Sequence, residues 1–206
     1  MKPDSVWVHA PEDISALVET RIDFDPSEPA RAAILAGGEP DPKDFPVTAF
    51  EKYRDAPIED LPPFFDGAGG LAFSKEIAEP IMQFDLGRTL ILPLRILKHD
   101  RKTEIFAERG YHIKLRKDVF SAFNPNASTN LNPGRRHTPP TRWKIPWQRP
   151  LNDDDVAVTS AALDSPAFWT DPALVNSEFI NGNVVRAMQS NDTAKYWHLK
   201  RCRIVD

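Results

Sequence analysis

The chain has 206 residues, 41% of them hydrophobic and 27% charged, with a formal charge of −4. That is long enough and apolar enough to bury a core, so disorder as a whole is excluded, and the lone Cys202 excludes an intramolecular disulfide. No stretch approaches the roughly 20 apolar residues that span a bilayer, and no apolar run comes after Met1-Lys2-Pro3-Asp4, so a cytoplasmic protein is expected.

Twenty prolines, about twice the average share of roughly 5%, predict many edges and irregular connections. Charge is unevenly spread. Residues 1–66 carry 15 acidic and 6 basic residues, and the remainder carries 15 acidic and 20 basic. An imbalance of this kind sets partner sign and association rate rather than fold.

In chain order, Val6 to His9 reads as a short strand. A short helix is expected from Arg31 to Ala36, stopped by Gly37-Gly38. Val47 to Tyr53 is a strand, and Pro62-Pro63 with Gly67 to Gly70 makes a loop. Leu71 to Phe73 is apolar, with Ser74 after it as a helix N-cap. Ile77, Ala78, Ile81 and Met82 fall on one helix face, with Pro80 inside it.

Thr89 to Leu97 predicts one strand, and Lys102 to Ala107 with Tyr111 to Leu115 predicts an antiparallel pair turned at Gly110. Residues 124–155 hold six prolines and end in Asn152-Asp153-Asp154-Asp155, a long excursion with an edge strand at Trp143 to Trp147. Phe168-Trp169 with Pro172 and Leu174 forms an apolar anchor. Next come a helix from Gly182 to Ser190 and an alternating strand from Tyr196 to Val205.

There is an internal echo. Phe73 to Leu97 passes through Met82-Gln83 and ends in Arg95-Ile96-Leu97, while Phe179 to Val205 passes through Met188-Gln189 and ends in Arg203-Ile204-Val205. Two copies are too few for a solenoid but would make two lobes of one sheet-based fold, and convergence of ordinary patterns would look the same.

Motifs for chemistry are sparse. Gly67 to Ala72 matches the spacing G-x-G-x-x-A, but Pro62-Pro63 before it reads as a turn rather than the strand a dinucleotide loop requires. The histidines, His9, His99, His112, His137 and His198, share no metal-binding spacing. His198 and Cys202 would stand about 13 Å apart along a strand, so Cys202 reads as a structural thiol. Asp153-Asp154-Asp155 lacks the spread ligands of a cation loop and reads as solvated. No catalytic, cofactor or metal residue is assigned, and the expectation is a non-enzyme.

Segment 119–152 contains no Asp or Glu and carries Arg135, Arg136, Arg142, Lys144 and Arg149 beside His137, Trp143 and Trp147. Three readings stay open. Both tryptophans pack in the core while the arginines pair with the acidic N-terminal part; or the segment is a protein interface; or it grips single-stranded nucleic acid by stacking and phosphate contacts. Arg135, Arg136, Trp143, Lys144 and Trp147 are the candidate partner-binding residues, with the acidic part, including Asp23, Asp25 and Glu28, as the rival surface.

Phe45-Pro46 to Tyr53-Arg54, Leu61 to Gly70, Ala72 to Glu76, the tract Phe168 to Leu174 and the closing Leu199 to Val205 together resemble a bacterial polymorphic-toxin immunity family, the Myxococcus-type immunity domain once known only as a domain of unknown function. The resemblance covers about residues 45–205 and departs at Ile180-Asn181-Gly182, where a Ser cap is expected. It implies a cytoplasmic protein that binds and neutralises a cognate toxin, with no cofactor and no catalytic residues. The fold expected is α+β, a mixed or mainly antiparallel sheet with a few short helices, in a single domain over 1–206 that the echo would divide into two related lobes.

Overall fold

The structure is a computed structural model that describes residues 3–9, 22–24, 29, 41–44, 48–67, 70–115, 118–134, 142–146, 150–175 and 177–206. The chain forms two compact units. Unit 1 takes Met1–Asp13, Glu79–Thr89 and Lys117–Asp206, and unit 2 takes Ile14–Ala78 and Leu90–Arg116. The class is α+β, mainly β, as the strand-rich, proline-rich sequence predicts.

Unit 1 contains β1 (Val6–His9), β10 (Asp118–Val119), β13 (Ala157–Thr159), β14 (Phe168–Thr170), β16 (Glu178–Asn181), β17 (Leu199–Arg201) and β18 (Arg203–Val205). Its main sheet has the order β10-β14-β16-β1-β17, and β13 pairs with β18 in parallel. A small sheet joins β11 (Asn132–Pro133), β12 (Trp143–Lys144) and β15 (Leu174–Val175).

Val6 and Val8 alternate inward from β1 into a core with Val158, Trp169, Leu174 and Phe179. The Trp169 ring stacks on Phe179 at 4.1 Å between centroids and meets the edge of Phe120 at 5.5 Å. Helix α2 (Gly182–Ser190) starts where Asn181 Oδ1 accepts from the N–H groups of Asn183 and Val184, at 3.1 and 3.2 Å, and it buries Val184, Val185 and Met188. The asparagine does the capping work expected of a serine.

Unit 2 contains β2 (Ile22–Phe24), β3 (Thr48–Glu51), β4 (Phe64–Gly67), β5 (Gly70–Phe73), β6 (Leu90–Pro93), β7 (Arg95–Leu97), β8 (Glu104–Ile105) and β9 (His112–Leu115), with the start of helix α1 (Lys75–Ile81). One sheet has the order β4-β5-β9-β6 and a second has β2-β3-β7-β8. Ala49, Leu61, Phe65, Ile96, Tyr111 and Ile113 fill the core. The Tyr111 hydroxyl lies 3.0 Å from the carbonyl oxygens of Leu61 and Pro62, so its one polar atom is satisfied.

The structure corrects several sequence expectations, three of them in the strands and turns between Thr89 and Leu115 and at the C-terminal end. Thr89 to Leu97 is not one strand. The chain breaks at buried Leu94, whose N–H donates to Tyr111 O at 2.8 Å, so β6 joins β9 while β7 joins β3 and β8. Nor do Lys102 to Ala107 and Tyr111 to Leu115 form a hairpin. Phe106 (φ 57°) and Gly110 (φ 54°) are both left-handed and flank a 3-10 turn at Ala107–Arg109, which sends β9 between β5 and β6. The closing strand is also broken. It begins as a 3-10 turn over Ala194–Trp197 and splits at Cys202.

Val6–His9 and Gly182–Ser190 match their predicted spans, and of the strand expected over Val47 to Tyr53 the described residues form Thr48–Glu51. The helix expected over Arg31 to Ala36 lies outside the described residues. Gly67 and Gly70 pair across antiparallel β4 and β5, so the motif joins strand to strand rather than strand to helix as a phosphate loop does.

Candidate functional site

Two exposed basic residues of unit 1, Arg142 and Lys144, stand at the small sheet of β11, β12 and β15. Strand β12 is pinned on both sides: Gly134 N–H donates to Arg142 O at 2.6 Å, and Trp143 N–H donates to Ala173 O at 2.6 Å. A Cβ at position 134 would come within 2.9 Å of Arg142 O, so glycine permits this approach. Trp143 packs, partly buried, against the unit 1 core, while Arg142 and Lys144 on either side of it are exposed. Neither cation makes an ion pair with any described carboxylate.

Arg142 borders an open hollow of about 420 Å³, shared with Ser121, Phe123, Thr159, Asp171 and Pro172. Asp171 builds this hollow. Its Oδ2 accepts from the N–H groups of Ala122 and Phe123 at 2.9 and 2.8 Å, and its Oδ1 accepts from Ala173 N–H at 2.8 Å. A buried carboxylate with both oxygens engaged is a clamp that ties segment 121–123 to the end of β14. Sequence reasoning missed it. The available signal was Asp171-Pro172 directly after an apolar strand, a turn-initiating pair.

Of the five residues the sequence nominated, the structure places Trp143 and Lys144 on β12; Arg135, Arg136 and Trp147 lie outside the described residues. Of the edge strand expected at Trp143 to Trp147, only Trp143–Lys144 is strand among the described residues, and it is flanked by β11 and β15 rather than left at an edge. In the rival acidic part, Asp23 faces Lys52 at a loose 3.9 Å, and Asp25 and Glu28 lie outside the described residues.

The other groups with chemical potential are engaged in holding the fold. The His9 Nδ1 lies 2.5 Å from Trp197 O, and its ring meets the Trp197 ring edge-on. Cys202 is buried, and that burial pushes its thiol well above the ordinary value, with Asp154 and Asp153 adding to the effect, so it is not a thiolate nucleophile at neutral pH. Among the described residues no group of three His, Cys, Asp or Glu could hold a metal ion.

The aspartate triplet is more than a solvated loop. Asp153 Oδ1 accepts from Arg201 N–H at 2.8 Å, Asp154 pairs with the Arg201 guanidinium at 3.1 Å, and Asp155 is buried. Asp155 receives Thr129 Oγ1, Asn130 Nδ2 and the Asn152 N–H at 2.9, 2.8 and 2.8 Å. Burial opposes its charge, but these donors together outweigh burial and hold its carboxyl below the usual value. A depressed folded pKa contributes stability that is complete above the unfolded value of about 3.9 and is lost as pH falls through the folded value. Melting temperature is therefore expected to fall in acid below about pH 4, and Asp155→Asn should melt lower at pH 7 while losing less between pH 5 and pH 2. An acid response identical to that of the parent would remove Asp155 from the account.

Among the described residues no helix is long and apolar enough to cross a membrane. No protein-family model matches the chain, and no curated protein matches it.

Proposed function

We propose that this protein is a cytoplasmic immunity protein that binds a cognate bacterial toxin and neutralises it, without chemistry of its own. The observation that carries the reading is the pair of exposed cations on either side of Trp143, Arg142 and Lys144, which have no carboxylate partner among the described residues; Arg142 borders the Asp171 hollow. Exposed cations beside a depression suit an acidic protein surface, where charge complementarity steers encounter and fixes orientation. The resemblance of residues 45–205 to toxin-immunity proteins supplies the kind of partner.

The alternative reading is a nucleic-acid-binding module using residues 119–152. Trp143 counts against it, because a ring packed on the core is not free to stack on a base.

The test is co-expression with the product of the adjacent gene. A one-to-one complex that restores growth is expected, and Arg142→Glu with Lys144→Glu should weaken it by about 10- to 100-fold, mostly at low salt. Absence of both complex and rescue would overturn the proposal. Retention on heparin that falls steeply with salt would favour the nucleic-acid reading instead.

A further inference from the structure

Each unit, described by itself, has the same wiring. Unit 1 contains the antiparallel run β14-β16-β1-β17, and unit 2 contains the antiparallel run β4-β5-β9-β6. Each unit also contains a parallel pair that includes the last strand after its helix, β13 with β18 and β3 with β7, and unit 1 adds two parallel pairs of its own, β10 with β14 and β12 with β15. In each, a helix comes directly after the second strand of the run, and two short strands come after the helix.

The match extends to single residues. The residue before each helix donates its N–H to the same place: Ser74 to Pro63 O at 2.8 Å, Asn181 to Ala167 O at 3.1 Å. The break between the last two strands falls on one buried residue in each unit. Leu94 N–H donates to Tyr111 O, and Cys202 N–H donates to Val6 O, both at 2.8 Å. Val6 thus corresponds to Tyr111, and the burial of Val6-Trp7-Val8-His9 (in, partial, in, in) repeats in Tyr111-His112-Ile113-Lys114.

A tight contact repeats as well, with its small partner on the opposite side. The first helical residue meets the residue before Val6 or before its counterpart Tyr111. In unit 2 this is Lys75 against Gly110, where a Cβ on the glycine would lie 3.2 Å from Lys75 Cβ; in unit 1 it is Gly182 against Ser5, where a Cβ would lie 2.9 Å from Ser5 O and run into Ser5 Oγ.

Corresponding positions are displaced by 104 (Pro63 to Ala167), 105 (Val6 to Tyr111), 107 (Ser74 to Asn181), 108 (Leu94 to Cys202) and 109 (Thr48 to Ala157). The central strand shares the displacement of everything else. Yet β1 lies in unit 1 with the later half of the chain, and β9 lies in unit 2 with the earlier half. Both facts hold only if the first copy runs β1, β3 to β7 and the second runs β9, β13 to β18, with the leading strands traded.

We infer that the chain is a tandem duplication whose two copies have exchanged their central strands, so that unit 1 is a strand acceptor filled by β1 and unit 2 is a strand acceptor filled by β9. This is exchange of an identical element between copies, here joined covalently. It does not depend on which partner the protein binds.

The test is a permuted chain in which residues 1–13 are moved behind Asp206 through a linker as long as the 98–110 connection. That gives unit 1 the strand order unit 2 already has. The permuted chain is expected to melt within a few degrees of the parent, whereas a chain lacking residues 1–13 loses the cooperative transition of unit 1. A permuted chain that behaves like the deletion would overturn the inference.

A permuted chain can fail through its linker, so a second test uses none. Gly182→Lys alone should lower the melting temperature sharply, and adding Ser5→Gly should restore part of the loss, because it removes Ser5 Oγ, the nearer of the two atoms the new Cβ meets, and leaves a glycine against a lysine as in Lys75 against Gly110. A double variant no more stable than Gly182→Lys would overturn the equivalence of the two copies.

Discussion

Trp169→Ala is expected to destabilise unit 1 by about 3–5 kcal/mol, the range for emptying a buried aromatic site. The Trp169 side chain is fully buried, stacked on Phe179 and edge-on to Phe120, so its removal leaves two rings facing a void. The indole N–H finds no acceptor among the described residues, so part of what tryptophan contributes by packing is offset by an orphaned donor. Trp169→Phe should for that reason lose much less than the alanine variant. Phe65, which pairs with Ala72 as Trp169 pairs with Phe179, shows that the wiring accepts phenylalanine there. Urea unfolding monitored by circular dichroism measures both. A loss below about 1 kcal/mol for Trp169→Ala would mean that the core of unit 1 does not depend on this stack.

How much of this was legible in the sequence depends on whether the deciding interaction was local. The β1 strand and helix α2 were readable because period, cap and length act within a few residues: Val6 and Val8 alternate, and Asn181 caps the helix that begins at Gly182. The internal echo at Met82-Gln83 and Met188-Gln189 was readable for the same reason, since it lies within one strand–helix–strand stretch of each half.

The broken strands were not legible. Nothing local marks Leu94 or Cys202 as a break, because each is where the chain passes from one sequence-distant partner strand to another, from β9 to β3 or from β1 to β13. The false hairpin at Gly110 failed on Phe106, whose left-handed φ no aromatic residue announces. The exchange of central strands was invisible for a further reason. Val6-Trp7-Val8-His9 and Tyr111-His112-Ile113-Lys114 share no residue in register, and a sequence is silent on which sheet each strand enters.

The candidate site was legible in charge and illegible in geometry. An acid-free basic stretch stands out in a chain of net negative charge, and it led to Trp143 and Lys144. Which of its aromatics bind and which pack depends on depth, and Trp143 proves to be an anchor for the two cations beside it. Arg142 was part of that stretch but was not nominated, because its position on the hollow depends on Gly134, Ala173 and Asp171, none of which advertises a site.

Asp171→Ala should cost about 3–4 kcal/mol, because it strips acceptors from three backbone N–H groups and each buried donor left unmet costs about 1–3 kcal/mol, with water entering the open hollow recovering some of that. Asp171→Asn separates charge and shape. One amide oxygen can still serve Ala122 and Phe123, but the amide NH₂ then faces the Ala173 N–H, so the loss should be intermediate. The expected order in chemical unfolding is parent, then Asn, then Ala. The same carboxylate ties segment 121–123 to the turn that carries Ala173, and Ala173 O holds the strand of Arg142 and Lys144. Partner affinity should therefore fall in the same order even where each variant remains folded, and by more for Asp171→Ala than its loss of folded population explains. If both variants bound the partner like the parent while unfolding more easily, the clamp would be a device of stability alone, and the cations would bind without needing a rigid hollow beside them.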